Sequence, residues 1–208
     1  MKALKSRLNA HFAACATAAA AAAVAAPQQA DAATVYSGPV NITIPDNIDG
    51  VYMNIVSGAT GSAGGSVAGW DINPYSATAG GFYLWGPDAT TWLDYNGTNT
   101  FNLPVGTPIG PGGSFERPGG GQDLATQVNL NSSNNFFGFE FVNENGGGTH
   151  YGFIQVAFGA TAGTRSIVAY AYDDVAGAPI TTFAVPAPGA LALLGLAGLV
   201  GSRRRRVA

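Results

Sequence analysis

The stretch from residue 33 to residue 184 is built from side chains that favour strands. Valine, isoleucine, phenylalanine, tyrosine and tryptophan number forty-one there, whereas leucine and methionine together number six. β-Branched and aromatic side chains fit a pleated surface and lose rotamer freedom in a helix. Gly, Asn, Asp and Pro interrupt the apolar runs at short intervals, because turns need their backbone freedom. No 3.6-residue periodicity persists, and no repeat of 20–50 residues is apparent. The expected fold is all-β, an antiparallel β-sandwich of which a jelly roll is one form, and about 150 residues suffice to enclose its core.

The expected strands are Val40–Ile44, Val51–Val56, Gly81–Trp85, Thr126–Leu130, Phe136–Val142, Tyr151–Phe158, Ser166–Tyr172 and Ile180–Phe183. Weaker strand signals lie at Trp70–Ile72, Thr91–Leu93 and Thr100–Leu103. Phe136–Phe141 and Tyr151–Phe158 do not alternate as half-exposed strands do. They read as interior strands, covered on one side by a sheet and on the other by loops.

Charge divides the chain into three parts: 1–32, 33–184 and 185–208. Of the nine basic residues, Lys2, Lys5 and Arg7 lie in the first part and Arg203, Arg204, Arg205 and Arg206 in the last. The middle keeps only Arg117 and Arg165 against eleven carboxylates, a net charge of −9. Such a surface repels phosphate backbones, which argues against nucleic-acid binding. With no lysine in the middle, Schiff-base and P-loop chemistry are excluded there.

The first part reads as an export signal. Met1–His11 is basic, Phe12–Ala26 is uncharged and alanine-rich, and Ala30-Asp31-Ala32 supplies the small-x-small pattern of signal peptidase. Cleavage is expected between Ala32 and Ala33. Cys15, the chain's one cysteine, sits inside the apolar run. Its removal leaves a mature protein without disulfides or thiolate metal sites.

The last part combines Val185-Pro186-Ala187-Pro188-Gly189, an uncharged stretch rich in Leu, Ala and Gly, and the four arginines two residues before the end. The apolar stretch is short against the roughly 20 residues of a spanning helix. It lodges in a membrane if the arginines snorkel, and the arginines then mark the cytoplasmic side. This tripartite tail resembles the PEP-CTERM sorting signal of exported bacterial proteins, with Ala187 where that family usually has Glu. The resemblance implies an exosortase-type membrane protease as processing partner and transient membrane insertion. It further implies delivery to the cell surface or extracellular matrix of a bacterium with an exopolysaccharide programme. A tail that stays as an anchor is the alternative. The run from His150-Tyr151-Gly152-Phe153-Ile154 through Asp173-Asp174 to Gly177-Ala178-Pro179-Ile180 is similar to one common in PEP-CTERM cargo proteins, and that resemblance carries no activity.

The candidate sites are few. His150 is the one histidine of the middle part, and no Gly-x-Ser-x-Gly elbow accompanies it. Asp46-Asn47-Ile48-Asp49-Gly50 resembles part of a calcium loop, but reads first as a turn into the next strand. Asp173-Asp174 reads as a strand end. Glu140 and Glu144 are a conceivable glycosidase pair whose spacing carries little information. Trp70, Tyr75, Phe82, Tyr83, Trp85, Trp92 and Tyr95 cluster among Gly, Asn and Asp. Flat rings beside amides suit the apolar faces and hydroxyls of sugars, so Trp70, Trp85 and Trp92 form a candidate glycan platform; a sandwich core is the competing use. No cofactor and no catalytic residue is expected. The leading expectation is a non-enzymatic structural or adhesive protein, and the alternative is a carbohydrate-binding module associated with exopolysaccharide.

The arginine cluster yields the first test. Each arginine costs about 2.5–3.5 kcal/mol at the centre of a membrane helix, so the cluster acts as the stop. Replacing Arg203 to Arg206 with Ser should abolish membrane retention of the precursor and release it with an uncut C-terminus. Cell fractionation with an antibody to the final residues checks this, and normal retention and trimming of the variant would refute it.

Overall fold

Three long strands near the end of the β-rich region carry most of the backbone pairing. The computed structural model describes residues 33–87, 90–118, 122–144 and 147–183. The expected signal segment with Ala30 and Ala32, and the sorting segment from Val185 to Arg206, lie outside the described residues. The strands are β1 (Thr34–Tyr36), β2 (Ile42–Thr43), β3 (Tyr52–Met53), β4 (Thr60–Gly61), β5 (Asn73–Tyr75), β6 (Tyr83–Trp85) and β7 (Thr91–Leu93). They continue with β8 (Pro108–Ile109), β9 (Phe115–Glu116), β10 (Phe136–Val142), β11 (Thr149–Phe158), β12 (Arg165–Asp173) and β13 (Ile180–Thr181). The main sheet runs β1–β12–β11–β10–β7–β9, and β2 joins β12 beside β1. Three ribbons, β3–β4, β5–β6 and β8–β13, stand apart from it. All these pairings are antiparallel, so the expected all-β class holds.

Alternation along β10 explains how the core is divided. Phe137, Phe139 and Phe141 point into one apolar cluster with Ile44, Met53, Ile55, Ile72, Phe82 and Trp92. Phe136 points into a second cluster with Leu93, Leu103, Ile109, Tyr151, Phe153 and Ile180. Successive residues of a strand face opposite sides, so the central strands are covered on both faces. This is why their sequences show no clean polar face.

The β11–β12 pairing slips by one residue between Gln155↔Ala169 and Val156↔Ile167, leaving Val168 as a bulge. A bulge switches the side on which later residues emerge. Ile167 before it and Tyr170 and Tyr172 after it consequently reach the same cluster. The gap between β1 and β2 is bridged by Ser37 N–H to Tyr170 O (3.0 Å) and Val40 N–H to Val168 O (2.9 Å). Residues 34–44 thus act as one long, kinked outer strand.

Several expected elements differ. Thr126–Leu130 forms turns, not a strand. Side-chain amides claim the backbone there: Asn102 Nδ2 donates to Gln127 O (2.8 Å), Asn129 N–H donates to Asn135 Oδ1 (2.6 Å) and Asn135 Nδ2 donates to Asn129 O (3.1 Å). Such bonds offer the chain an alternative to a ladder. Leu103 and Ile72 make only single bridges, to Phe136 and Met53. β5 and β8 escaped the sequence reading because each contains a proline, which ribbons tolerate where no ladder donor is needed. Val51–Val56 shortens to β3 because Asn54 turns the chain, its Oδ1 taking Ser57 N–H at 2.7 Å.

Gly152 tests the closeness of this packing. A Cβ there would stand 2.8 Å from Ala171 O and 3.0 Å from Phe139 Cζ. Gly152→Ala should destabilise the fold by about 1–3 kcal/mol, since backbone cannot yield cheaply. Gly65 faces open space, and Gly65→Ala should fall within about 0.5 kcal/mol of the parent in urea denaturation. Equal midpoints for the two variants would contradict the packing.

Candidate functional site

The aromatic cluster separates into a buried and an accessible part. Trp92 is only 1% exposed and stacks edge-on against Phe139 at 5.5 Å. Phe82 and Tyr83 are buried as well. Trp92 therefore leaves the candidate glycan platform: β7 is an inner strand, and its middle side chain points into the larger apolar cluster. Trp85 is 47% exposed at the end of β6. Trp70 is half-buried and meets Tyr52 edge to face at 4.8 Å.

Trp85, Tyr52, Tyr75, Asn73 and Ile48 line a shallow groove of about 270 Å³. Register places Asn73 directly across from Trp85 on the β5–β6 ribbon. Asn73 Nδ2 donates to Asp49 O at 3.0 Å, and its Oδ1 is buried without a protein partner among the described residues. Arg117, which follows β9 and does not line the groove, lies over the indole of Trp85 at 5.4 Å, a cation–π contact. Burial and the neighbouring Tyr83 and Tyr52 push the Tyr75 phenol upward from its ordinary pKa.

The turn Asp46–Gly50 forms the groove's outer lip. Asn47 Oδ1 accepts Gly50 N–H (2.9 Å), and Asn47 O accepts Ser76 N–H (2.8 Å). Gly50 has φ +59°, and a Cβ there would lie 2.3 Å from Pro74 O. Only glycine lets the turn press so closely onto β5, which leaves Ile48 64% exposed at the rim. Asp46 turns toward Gly80 N–H (3.0 Å) and Arg165 Nη2 (3.6 Å). Hydrogen bonds from Ser76 and Gly80 lower its pKa, helped by Arg165. Among the described residues no three His, Cys, Asp or Glu side chains gather in a way that could hold a metal.

The remaining polar candidates serve the fold. His150 is 2% exposed within β11, with Nδ1 at 2.8 Å from Asp173 O and its ring 5.7 Å from Phe141. Nδ1 is therefore the protonated nitrogen. Asp173 Oδ1 takes Val175 N–H (3.0 Å), so no relay to His150 forms. Glu140 accepts from Thr91 Oγ1 (2.6 Å), while Glu144 accepts from Asn54 Nδ2 (2.5 Å). The two glutamates thus take different partners.

The sequence reading missed Asp71, whose neighbours come from distant segments. It is 4% exposed and accepts Ile55 N–H at 2.7 Å. Burial pushes its carboxyl up to about 7, opposed by the Ile55 bond and reinforced by Glu144. No local motif announces a buried acid. Comparison with protein-family models, with curated proteins and with solved structures returned no match.

Asp71 gives a prediction with a definite sign. A carboxyl whose folded pKa is raised destabilises the fold as pH climbs from its unfolded value to its folded one, here from about 4 to about 7. The loss is on the order of 2–4 kcal/mol. Urea midpoints of the parent should drop between pH 5 and pH 8, while Asp71→Asn, which still accepts the Ile55 bond, should lack that drop. Parallel curves for the two proteins would remove the assignment.

Proposed function

We propose that this chain is an exported protein, sorted by an exosortase-type system to the cell surface or extracellular matrix. There it plays a non-enzymatic adhesive role by holding carbohydrate in the groove at Trp85. The export part rests on the two terminal segments of the sequence. The binding part rests on one observation: a half-exposed indole in a groove with Tyr52, Tyr75, Ile48 and Asn73. A pyranose ring offers an apolar CH face to an indole and hydroxyls to neighbouring polar groups. Ile48 extends the apolar wall, and the phenols of Tyr52 and Tyr75 provide the polar contacts.

Charge selects among sugars. Among the described residues no ionic side chain lines the groove, and the domain around it carries eleven carboxylates against two arginines. A neutral polysaccharide meets no repulsion from this net charge, whereas a uronate-rich one meets it around the groove except at Arg117, which lies on the Trp85 indole. The non-enzymatic reading is supported by the same lining, which offers tyrosines and an amide rather than a pair of carboxylates. We also infer that the ribbons β3–β4 and β5–β6 act as a second layer over β10–β12, the sandwich expected from the sequence. The larger apolar cluster between these strands supports this.

Affinity electrophoresis in gels containing neutral polysaccharides tests the reading. Trp85→Ala should weaken retardation about tenfold, the loss of one well-placed stacking contact. Its thermal midpoint should hardly move, because Trp85 is outside the core. Trp92→Ala should instead cost about 3–5 kcal/mol of stability. Unchanged retardation by Trp85→Ala would refute the groove. No retardation of the parent by any neutral or acidic polysaccharide would refute carbohydrate binding altogether.

A further inference from the structure

We propose that Asp174 is the docking site for the α-ammonium group created at Ala33 by removal of the signal segment, so that export itself completes the outer strand of the sheet. The inference rests on the export reading and is independent of the groove. Ala33 N lies 3.0 Å from Asp174 Oδ1, and Asp174 N–H donates to Ala33 O at 3.2 Å. These two bonds extend the β1–β12 ladder one step beyond Thr34↔Asp173. The nitrogen touching the carboxylate is the one that becomes the chain terminus if the Ala32–Ala33 bond is cut. Hydrolysis of that bond adds water, leaves a carboxylate on the released segment and an amine on Ala33, and the amine takes up a proton at neutral pH. In the precursor the same nitrogen is an amide with one hydrogen and no charge.

The charges around this point favour the pairing. Arg165 and Arg117 are the basic side chains of the 33–184 domain. Arg165 starts β12, whereas Asp174 follows its other end, and Arg165 is engaged by Asp46. The titratable groups facing the site from β12 are Asp173, whose Oδ1 takes Val175 N–H, and Tyr172, whose phenol is pushed up by burial and by Asp174. From β11, His150 reaches Asp173 through its backbone carbonyl only. Among the described residues the charge near Asp174 is thus negative, and an ammonium is the complement it takes. A cut two residues earlier leaves Ala33 N as an amide and places the ammonium beyond the ladder.

The consequence falls on both ends of the domain. β1 is exposed along its length and held by β12. Its Tyr36 packs edge-on against Phe183 at 5.6 Å, and Phe183 rests on Phe153 at 5.1 Å. Fixing β1 therefore also fixes the last aromatic residue before the sorting segment.

The test uses the full-length chain expressed from Met1 in a secreting bacterium, purified after export, with its N-terminal residue read by mass spectrometry. In the parent, the chain should begin at Ala33 and its terminal amine should titrate above the usual range for a chain terminus. Asp174→Asn should return the amine to that range. Amide exchange at Val35 and at Ser37, whose N–H donates to Tyr170 O, should be several-fold faster in Asp174→Asn, and equally so in parent protein whose terminus has been acetylated. The protection should vanish as pH rises through the pKa of the amine, since a raised amine pKa stabilises only below it. A chain that begins elsewhere overturns the proposal through its cleavage premise. A chain that begins at Ala33 but titrates alike in parent and Asp174→Asn overturns the pairing itself.

Discussion

The structure depends on the burial of β10 from both sides. A strand with Phe136, Phe137, Phe139 and Phe141 has no face it can give to water, and all four rings are fully buried. One sheet cannot satisfy it, because the side chains emerge alternately above and below. Cover has to come from other parts of the chain on each face, and the ribbons and long loops supply it. Phe82, just before β6, packs on Phe137 at 5.1 Å, while on the other face Ile109 of β8 and Ile180 of β13 share the cluster of Phe136. Much of the remaining topology follows from that demand.

Covering loops bring a second problem, since their backbone polar groups are taken out of water with no ladder to join. Asn and Asp side chains solve it. Asp94 accepts from the N–H groups of Thr98, Asn99 and Thr100. Asn135, fully buried, ties Asn102, Asn129, Ser132 and Val156 together. Arg165 does the same for carbonyls, donating to Gly81, Ala162 and Pro45 while its guanidinium lies over Phe82. The polar residues between the strands are therefore structural members as much as surface. This is why most of the acids and amides that look like site candidates in the sequence turn out to be occupied.

The groove at Trp85 arises from the same economy. Gly50 allows the Asp46–Gly50 turn to lie on β5, and Asn73 reaches across to Asp49 to hold it. What is left open between that turn and the two ribbons is lined by rings the core does not need. Trp85 stays half exposed at the end of β6, with the Arg117 guanidinium over its ring.

The all-β class, the three long strands and β7 were legible in the sequence, because β-branched and aromatic runs bounded by turn residues report local backbone preference directly. The proposed export and sorting segments rest on the same kind of local signal, an order of charge, apolarity and small residues. Tertiary structure alone decided which aromatic rings are accessible: Trp85 and Trp92 have similar neighbours in sequence, and only strand position buries one and exposes the other. It also decided that Thr126–Leu130 turns, since the amides that capture its backbone come from residues up to 25 positions away. Asp71 and the contact between Ala33 and Asp174, which are 141 positions apart, belong to this second class. Burial and long-range charge depend on what the folded chain brings alongside, and no local pattern encodes that.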